Sequence, residues 1–286
     1  MLKREYKFRD GKCLTIGKKT CVMGILNVTD DSFSDGGKFA DLSSARAHLT
    51  QLVNDGADII DIGAESTRPG ATPLSAKEEM QRLLPFLEEL LPLCPVPISV
   101  DTYHPTVAQT ALERGAHILN DVGGLAFNGE TLGNMLRVAA KFNAPLIVTH
   151  GGDDIIDENT NVTEDVGDFF ASARQMATAI GLAQENLLFD PGIGFSGKTT
   201  AQNLTIIKNL RQLKQIGDDE MPLVIGASRK RFIGAVLDAP VDMRLFGTAA
   251  VCAAAAMSDA EIVRVHDVRE IVDVCRMIDA IKQAGD

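Results

Sequence analysis

The five cysteines of this 286-residue chain, Cys13, Cys21, Cys94, Cys252 and Cys275, never fall in a Cys-x-x-Cys spacing. Reduced thiols in a reducing cytosol are therefore expected rather than a disulfide framework or a redox pair. No His-Glu-x-x-His motif or Cys/His cluster occurs either, which removes the usual zinc arrangements. Basic runs are also absent. Lys and Arg number 28 against 39 Asp and Glu, for a net charge of −11, so nucleic acid is not an expected partner. The longest apolar stretch, Ala249 to Met257, is far too short to cross a bilayer. The charged start, Met1-Leu-Lys-Arg-Glu-Tyr-Lys, lacks the apolar centre of a secretory signal. A cytoplasmic protein without membrane contact is the expectation. Linkers rich in Pro, Gly or Ser are missing, as are low-complexity segments, so nothing divides the chain into domains. An acidic protein that handles an anionic substrate must gather its few cations locally or recruit a metal.

What is present is a repeat of short apolar runs, each followed by an amphipathic segment. The runs are 21–26, 58–62, 97–100, 117–119, 146–148, 187–189, 223–225 and 261–265. They are short and rich in Leu and β-branched residues, as buried parallel strands are. Between them, Ser75-Ala-Lys-Glu78 has capping-box spacing, and Met80, Leu83, Leu84, Leu87 and Leu91 then share a helical face. Leu42, Ala45, Leu49, Leu52 and Val53 form another stripe, closed by Gly56. Pro105 suits a first helical position and Gly115 a stop. Three junctions rhyme: Gly56-Ala-Asp-Ile-Ile-Asp61, Gly115-Ala-His-Ile-Leu-Asn120 and Asp259-Ala-Glu-Ile-Val-Arg264. Eight such units predict a single-domain α/β fold, a (β/α)8 TIM barrel over 20–286. Residues 1–19, with Asp10-Gly11, predict a hairpin over the barrel bottom. The Ala-rich run predicts a closely packed helix, against the barrel or a second subunit.

The strand ends carry the polar residues. They are Asn27-Val-Thr-Asp-Asp-Ser-Phe-Ser-Asp-Gly-Gly37, Gly63-Ala-Glu-Ser-Thr-Arg-Pro-Gly70, Asp101, Asn120-Asp121, Thr149-His150, Asp190-Pro-Gly-Ile-Gly-Phe195, Gly226-Ala-Ser-Arg-Lys-Arg231 and Arg264-Val-His266. A barrel draws its site from this face. Asp101, Asn120 and Asp190 offer acceptors and an amide, matched to the N–H groups of a 2-amino-pyrimidinone edge. Lys230 supplies a point-charge donor for a carbonyl. Arg264 supplies a planar cation that stacks on a heterocycle or clamps an oxyanion, with His266 on the same face. Asn27 and Asp35 are hard oxygen donors suited to magnesium. Phe33 reads either as a stray apolar contact or as part of a lid. Asp121 reads equally as a loop cap. His48, His104 and His117 read as structural or surface residues.

These segments, in order from the first strand to the last, resemble the dihydropteroate synthase family over roughly residues 12 to 280. The motifs that carry the likeness include Gly24-Ile-Leu-Asn-Val-Thr29, Asp31-Ser-Phe-Ser-Asp-Gly-Gly37, Glu65-Ser-Thr-Arg-Pro-Gly70, Ser228-Arg-Lys230 and Arg264-Val-His-Asp267. The resemblance implies that Asp101, Asn120, Asp190 and Lys230 hold a pterin with Arg264 stacked on it. It implies that Asn27 ligates Mg2+, and that Asn27, Thr67, Arg264 and His266 hold diphosphate. Phe33, Arg68, Pro69 and Lys230 would shape a p-aminobenzoate pocket, with Asp35 ordering the closed loops. Asp101, Lys230, Arg264, His266 and Asp35 would carry catalysis. The implied reaction joins 6-hydroxymethyl-7,8-dihydropterin diphosphate to p-aminobenzoate, diphosphate leaving first, with no strong general base. A homodimer is implied as well.

Some positions depart from the family pattern. Thr149-His-Gly-Gly152 stands where many members have Met-His-Met-x-Gly. Asp30 replaces a common proline, Ser196 is an extra residue before Gly197-Lys198, and Arg231 follows Lys230. Two rivals follow: a pterin-binding methyltransferase domain, which needs no diphosphate pocket, and an inactive pterin-binding paralogue, favoured only by the altered strand-five loop.

Overall fold

The computed structural model describes residues 1–28, 37–65, 73–152 and 155–285, with backbone only for 37–41. The described strands are β1 (Arg4–Lys7), β2 (Cys13–Ile16), β3 (Cys21–Asn27), β4 (Ile59–Gly63), β5 (Ile98–Asp101), β6 (Ile118–Asp121), β7 (Leu146–Thr149), β8 (Leu187–Asp190), β9 (Gln215–Ile216), β10 (Asp219–Glu220), β11 (Val224–Ile225) and β12 (Ile262–Val265). The helices are α1 (Gly37–Asn54), α2 (Ala76–Leu90), α3 (Pro105–Glu113), α4 (Asn134–Phe142), α5 (Val162–Ile180), α6 (Thr200–Lys208), α7 (Leu210–Leu213), α8 (Arg231–Leu237), α9 (Leu245–Met257) and α10 (Val268–Gln283).

Eight strands pair in parallel in the order β11-β12-β3-β4-β5-β6-β7-β8. The ends of that order meet: Phe189 of β8 bridges Leu223, just before β11, and its N–H donates to Pro222 O at 3.0 Å. The sheet thereby closes into a (β/α)8 barrel. All eight apolar runs of the sequence are its strands. The short hairpin β9–β10 and helix α7 were not foreseen. Two-residue strands about Gly217 (φ +64°) are too short to show alternation.

Alternation along each strand sorts the side chains. Ile60, Ile62, Val100, Leu119, Leu146, Val148, Phe189 and Val263 face outward and join the helices in the larger core. Met23, Ile59, Ile118, Ile147, Leu188, Val224 and Ile262 face inward, where Tyr6, Leu14 and Ile16 from the β1–β2 hairpin pack beneath them. The hairpin thus plugs the N-terminal end. His117 fastens it: its Nδ1 accepts from Ile98 N and its Nε2 lies 3.0 Å from Asp10 Oδ2. His117 is structural, as read from the sequence.

The helix signals act where the sequence places them. Ser75 and Glu78 exchange both capping-box bonds, Pro105 opens α3, and Gly56 (φ +99°) takes the left-handed turn after α1. The Ala-rich helix α9 buries Thr248, Val251, Cys252, Ala255 and Ala256.

Toward the C-terminal end the inward positions turn polar: Asp61, Ser99, Asp101, Asn120, Thr149, Asp190 and Arg264. An aliphatic side chain at each would contribute about 1.5–3 kcal/mol of burial. Forgoing it at so many adjacent positions marks this end of the barrel as a site.

Candidate active site at the barrel mouth

Arg264 on β12 reaches past β3 to the two strands beyond it. Its Nε donates to Asp61 Oδ2 on β4 and its Nη2 to Asp101 Oδ2 on β5, both at 2.6 Å. Asn120 Nδ2 on β6 donates to the same Asp61 oxygen at 3.0 Å. Asp61 is fully buried, so it acts from beneath, holding both the guanidinium and the amide in place. Sequence reading missed it. The signal was a carboxylate inside an otherwise apolar strand, two residues before Gly63.

The opposite wall comes from β8 and the loop after β11. Asp190 Oδ1 accepts from Gly192 N at 2.7 Å. Gly192 is obligatory, since its φ is +66° and an added Cβ would strike His150 O. Lys198 is buried and its ammonium donates to His150 O and Gly192 O, each at 3.1 Å, which ties the loops after β7 and β8 together. Lys230, at the start of α8, donates to Ile193 O and lies 4.2 Å from the centre of the Phe195 ring. Phe195 is a second residue whose part was not foreseen.

Electrostatics follow from burial. It pushes Asp101 up to about 7, against Arg264 and with Asp61. It also raises Asp190, which Lys230 opposes. Lys230 is pushed down to about 8 by the same desolvation, with Asp190 opposing. Burial alone would lower Arg264, but Asp61 and Asp101 more than reverse it and hold it cationic. Three carboxyl groups against two cations suit a ligand rich in N–H donors or carrying positive charge.

At the rim, Ser228 Oγ lies 2.9 Å from His266 Nδ1 and accepts from His266 N at 3.2 Å. The two contacts hold the imidazole to the loop after β11 through Nδ1 and its own backbone. Arg229 pairs with Asp267, fixing the last two loops to each other. Asn27 ends β3 half-buried, opposite Gly63. Asp121 is a loop cap: it accepts from Gly123 N at 2.9 Å and Leu125 N at 3.0 Å. Phe33, Asp35, Thr67, Arg68 and Pro69 lie outside the described residues. The structure thus gathers Asp101, Asn120, Asp190, Lys230 and Arg264 in one mouth, with Asn27 and His266 on its rim strands.

Behind the mouth, Glu65, Glu79 and His104 each bring one potential ligand atom within 4.8 Å of the others. The two nitrogens of His104 are already engaged, with Glu130 Oε1 at 2.9 Å and Leu74 O at 3.0 Å. Tyr103 donates to Glu65, and Thr102 to Glu79 at 2.9 Å. This group reads as a hydrogen-bonded tie.

Carboxyl groups, an amide, a lysine and an arginine gathered at the C-terminal mouth of the barrel are where an enzyme of (β/α)8 fold builds its site. The family described as pterin binding enzyme matches residues 23–266. A dihydropteroate synthase of Synechocystis is 43% identical over 271 residues, spanning 93% of this chain and 91% of that one. The Bacillus subtilis dihydropteroate synthase is 42% identical over 272 residues, 95% and 92% of the two chains. Among solved structures, the Clostridium difficile enzyme with pteroic acid superposes with a TM-score of 0.86 at 42% identity, covering 93% and 98% of the chains. The Xanthomonas albilineans enzyme with 4-aminobenzoic acid gives 0.87 at 37%, covering 96% and 97%. The chain belongs to the dihydropteroate synthase family.

Proposed function

We propose that the chain condenses 6-hydroxymethyl-7,8-dihydropterin diphosphate with p-aminobenzoate, releasing 7,8-dihydropteroate and diphosphate in folate biosynthesis. The observation that carries this reading is the meeting of Asp101, Asn120, Asp190, Lys230 and Arg264 in one mouth, in a chain of this family.

Asp190 and Asn120 take the amino-pyrimidinone edge, and Lys230 takes a ring carbonyl. As diphosphate leaves, positive charge grows on the pterin methylene, and the Asp101 and Asp190 carboxylates stabilise it. Arg264 offers its face to the ring, because its edge is already held by two carboxylates. His266 donates toward the departing diphosphate together with Thr67. The aniline nitrogen of p-aminobenzoate is neutral at pH 7 and needs no strong base. Phe33, Arg68, Pro69 and Asp35 are assigned to the p-aminobenzoate side on family likeness, supported by the 4-aminobenzoic acid complex of the Xanthomonas relative.

Magnesium fits the chemistry of Asn27, at the end of β3. Asn27 is half-buried there, its amide oxygen is a hard donor, and Mg2+ commonly takes only one or two protein ligands alongside substrate phosphate and water. When bound, the ion would neutralise diphosphate charge. A homodimer is proposed from the apolar edge of α8, α9 and α10 and the segment between α8 and α9. Phe246 is 85% exposed, Met243 66% and Met277 62%, more apolar exposure than a lone barrel gains from. None of the described helices is long and apolar enough to cross a membrane, and we place the enzyme in the cytoplasm.

Diphosphate release tests the reading. It should require both substrates and Mg2+, and fall by two or more orders of magnitude in Lys230→Ala and Arg264→Ala. Release that ignores p-aminobenzoate, or survives both substitutions, contradicts it.

A further inference from the structure

Two hydroxyls of the barrel's inner wall, Ser99 and Thr149, have no hydrogen-bond partner among the described residues. Thr149 closes β7, directly above the inward-facing Ile147 and between the outward-facing Val148 and the turn that follows. It is 1% exposed, and its Oγ1 has no hydrogen-bond partner. Valine would fill the same shape without burying an unsatisfied hydroxyl, so a threonine here costs stability unless something else meets its oxygen. Two other orphaned atoms of the inner wall, Asp61 Oδ1 and Ser99 Oγ, sit on register partners and can share one water. Thr149 lies elsewhere on the wall. Its register partner is Asp190, whose Oδ1 is already taken by Gly192 N.

We propose that Thr149 is a substrate-recognition residue: its hydroxyl hydrogen-bonds the pyrimidine edge of the pterin, beside the N–H groups taken by Asp190. This rests on the pterin reading above and deepens it. The position is held firmly enough to be selective. Thr149 O accepts from Gly151 N at 2.8 Å, and the following residue's carbonyl is gripped by Lys198. A fixed hydroxyl rejects a ring that places a methyl group or bare carbon at that point, because the oxygen then stays unpaired.

The test is calorimetric titration of 6-hydroxymethylpterin into wild type, Thr149→Val and Thr149→Ser, with the thermal midpoint of each free protein. Thr149→Val should bind about tenfold more weakly while its free form melts at the same temperature or higher; Thr149→Ser should keep wild-type affinity. Equal binding by wild type and Thr149→Val, or a Thr149→Val that melts lower and binds normally, overturns the proposal and makes the hydroxyl structural. Wild-type protein that binds no pterin overturns the underlying reading along with it.

Discussion

Arg264 Nε meets Asp61 Oδ2 at 2.6 Å, a contact between β12 and a fully buried carboxyl on β4. This pair sets the orientation of the guanidinium that the ligand meets. Removing one partner of a buried pair leaves the other uncompensated, at about 3–5 kcal/mol. Asp61→Asn keeps the shape but loses the charge. It should lower kcat/KM for the pterin diphosphate by about one to two orders of magnitude, and lower the thermal midpoint. Steady-state kinetics and a melting curve check this together.

Lys230 makes the activity fall on the alkaline side. Its ammonium is pushed down to about 8 by burial, so the charged form is complete well below that value and lost as pH rises through it. kcat/KM should drop above about pH 8. Lys230→Arg, cationic at any workable pH, should be weaker at neutral pH and lack that alkaline limb. A profile with the same limb in both proteins would assign it to another group.

Glu79 makes stability depend on pH away from the mouth. Burial raises its carboxyl to about 8, and only Thr102 among the described side chains donates to it. The folded protein holds this proton more tightly than the unfolded chain does. The contribution is full below about pH 4.5, the ordinary value, and is lost as pH rises toward and through 8. Denaturant titrations from pH 5 to 9 should show stability falling by a few kcal/mol on the order-of-magnitude scale of one pKa unit per 1.4 kcal/mol. Glu79→Gln should flatten that slope.

The hairpin plug separates folding from chemistry. Ile16 is fully buried beneath the inward-facing strand residues, at the end remote from the mouth. Ile16→Ala should cost about 2–5 kcal/mol while leaving KM for both substrates within twofold, as urea denaturation and kinetics would show.

Much of this was legible in the sequence because parallel barrel strands are short apolar runs with polar ends. All eight strands were read, and Asp101, Asn120, Asp190, Lys230 and Arg264 do converge. Asp61 was missed because its purpose exists only in three dimensions: an aspartate within Ile59-Ile-Asp-Ile62 means little until Arg264 arrives from β12, some 200 residues later in the chain, as the 203-residue separation shows. Phe195 was hidden likewise, its ring meeting Lys230 only after the β8 loop folds over. The two-residue strands β9 and β10 offered no periodicity. Asp121, open between cap and ligand contact in the sequence, resolved to a cap once its two backbone donors were seen.

The most direct measurement is product analysis by mass spectrometry, with wild-type protein, Mg2+, the pterin diphosphate and p-aminobenzoate. The account predicts 7,8-dihydropteroate and diphosphate in equal amounts, over many turnovers, and none when p-aminobenzoate is left out. Tight pterin binding with no dihydropteroate formed would contradict it.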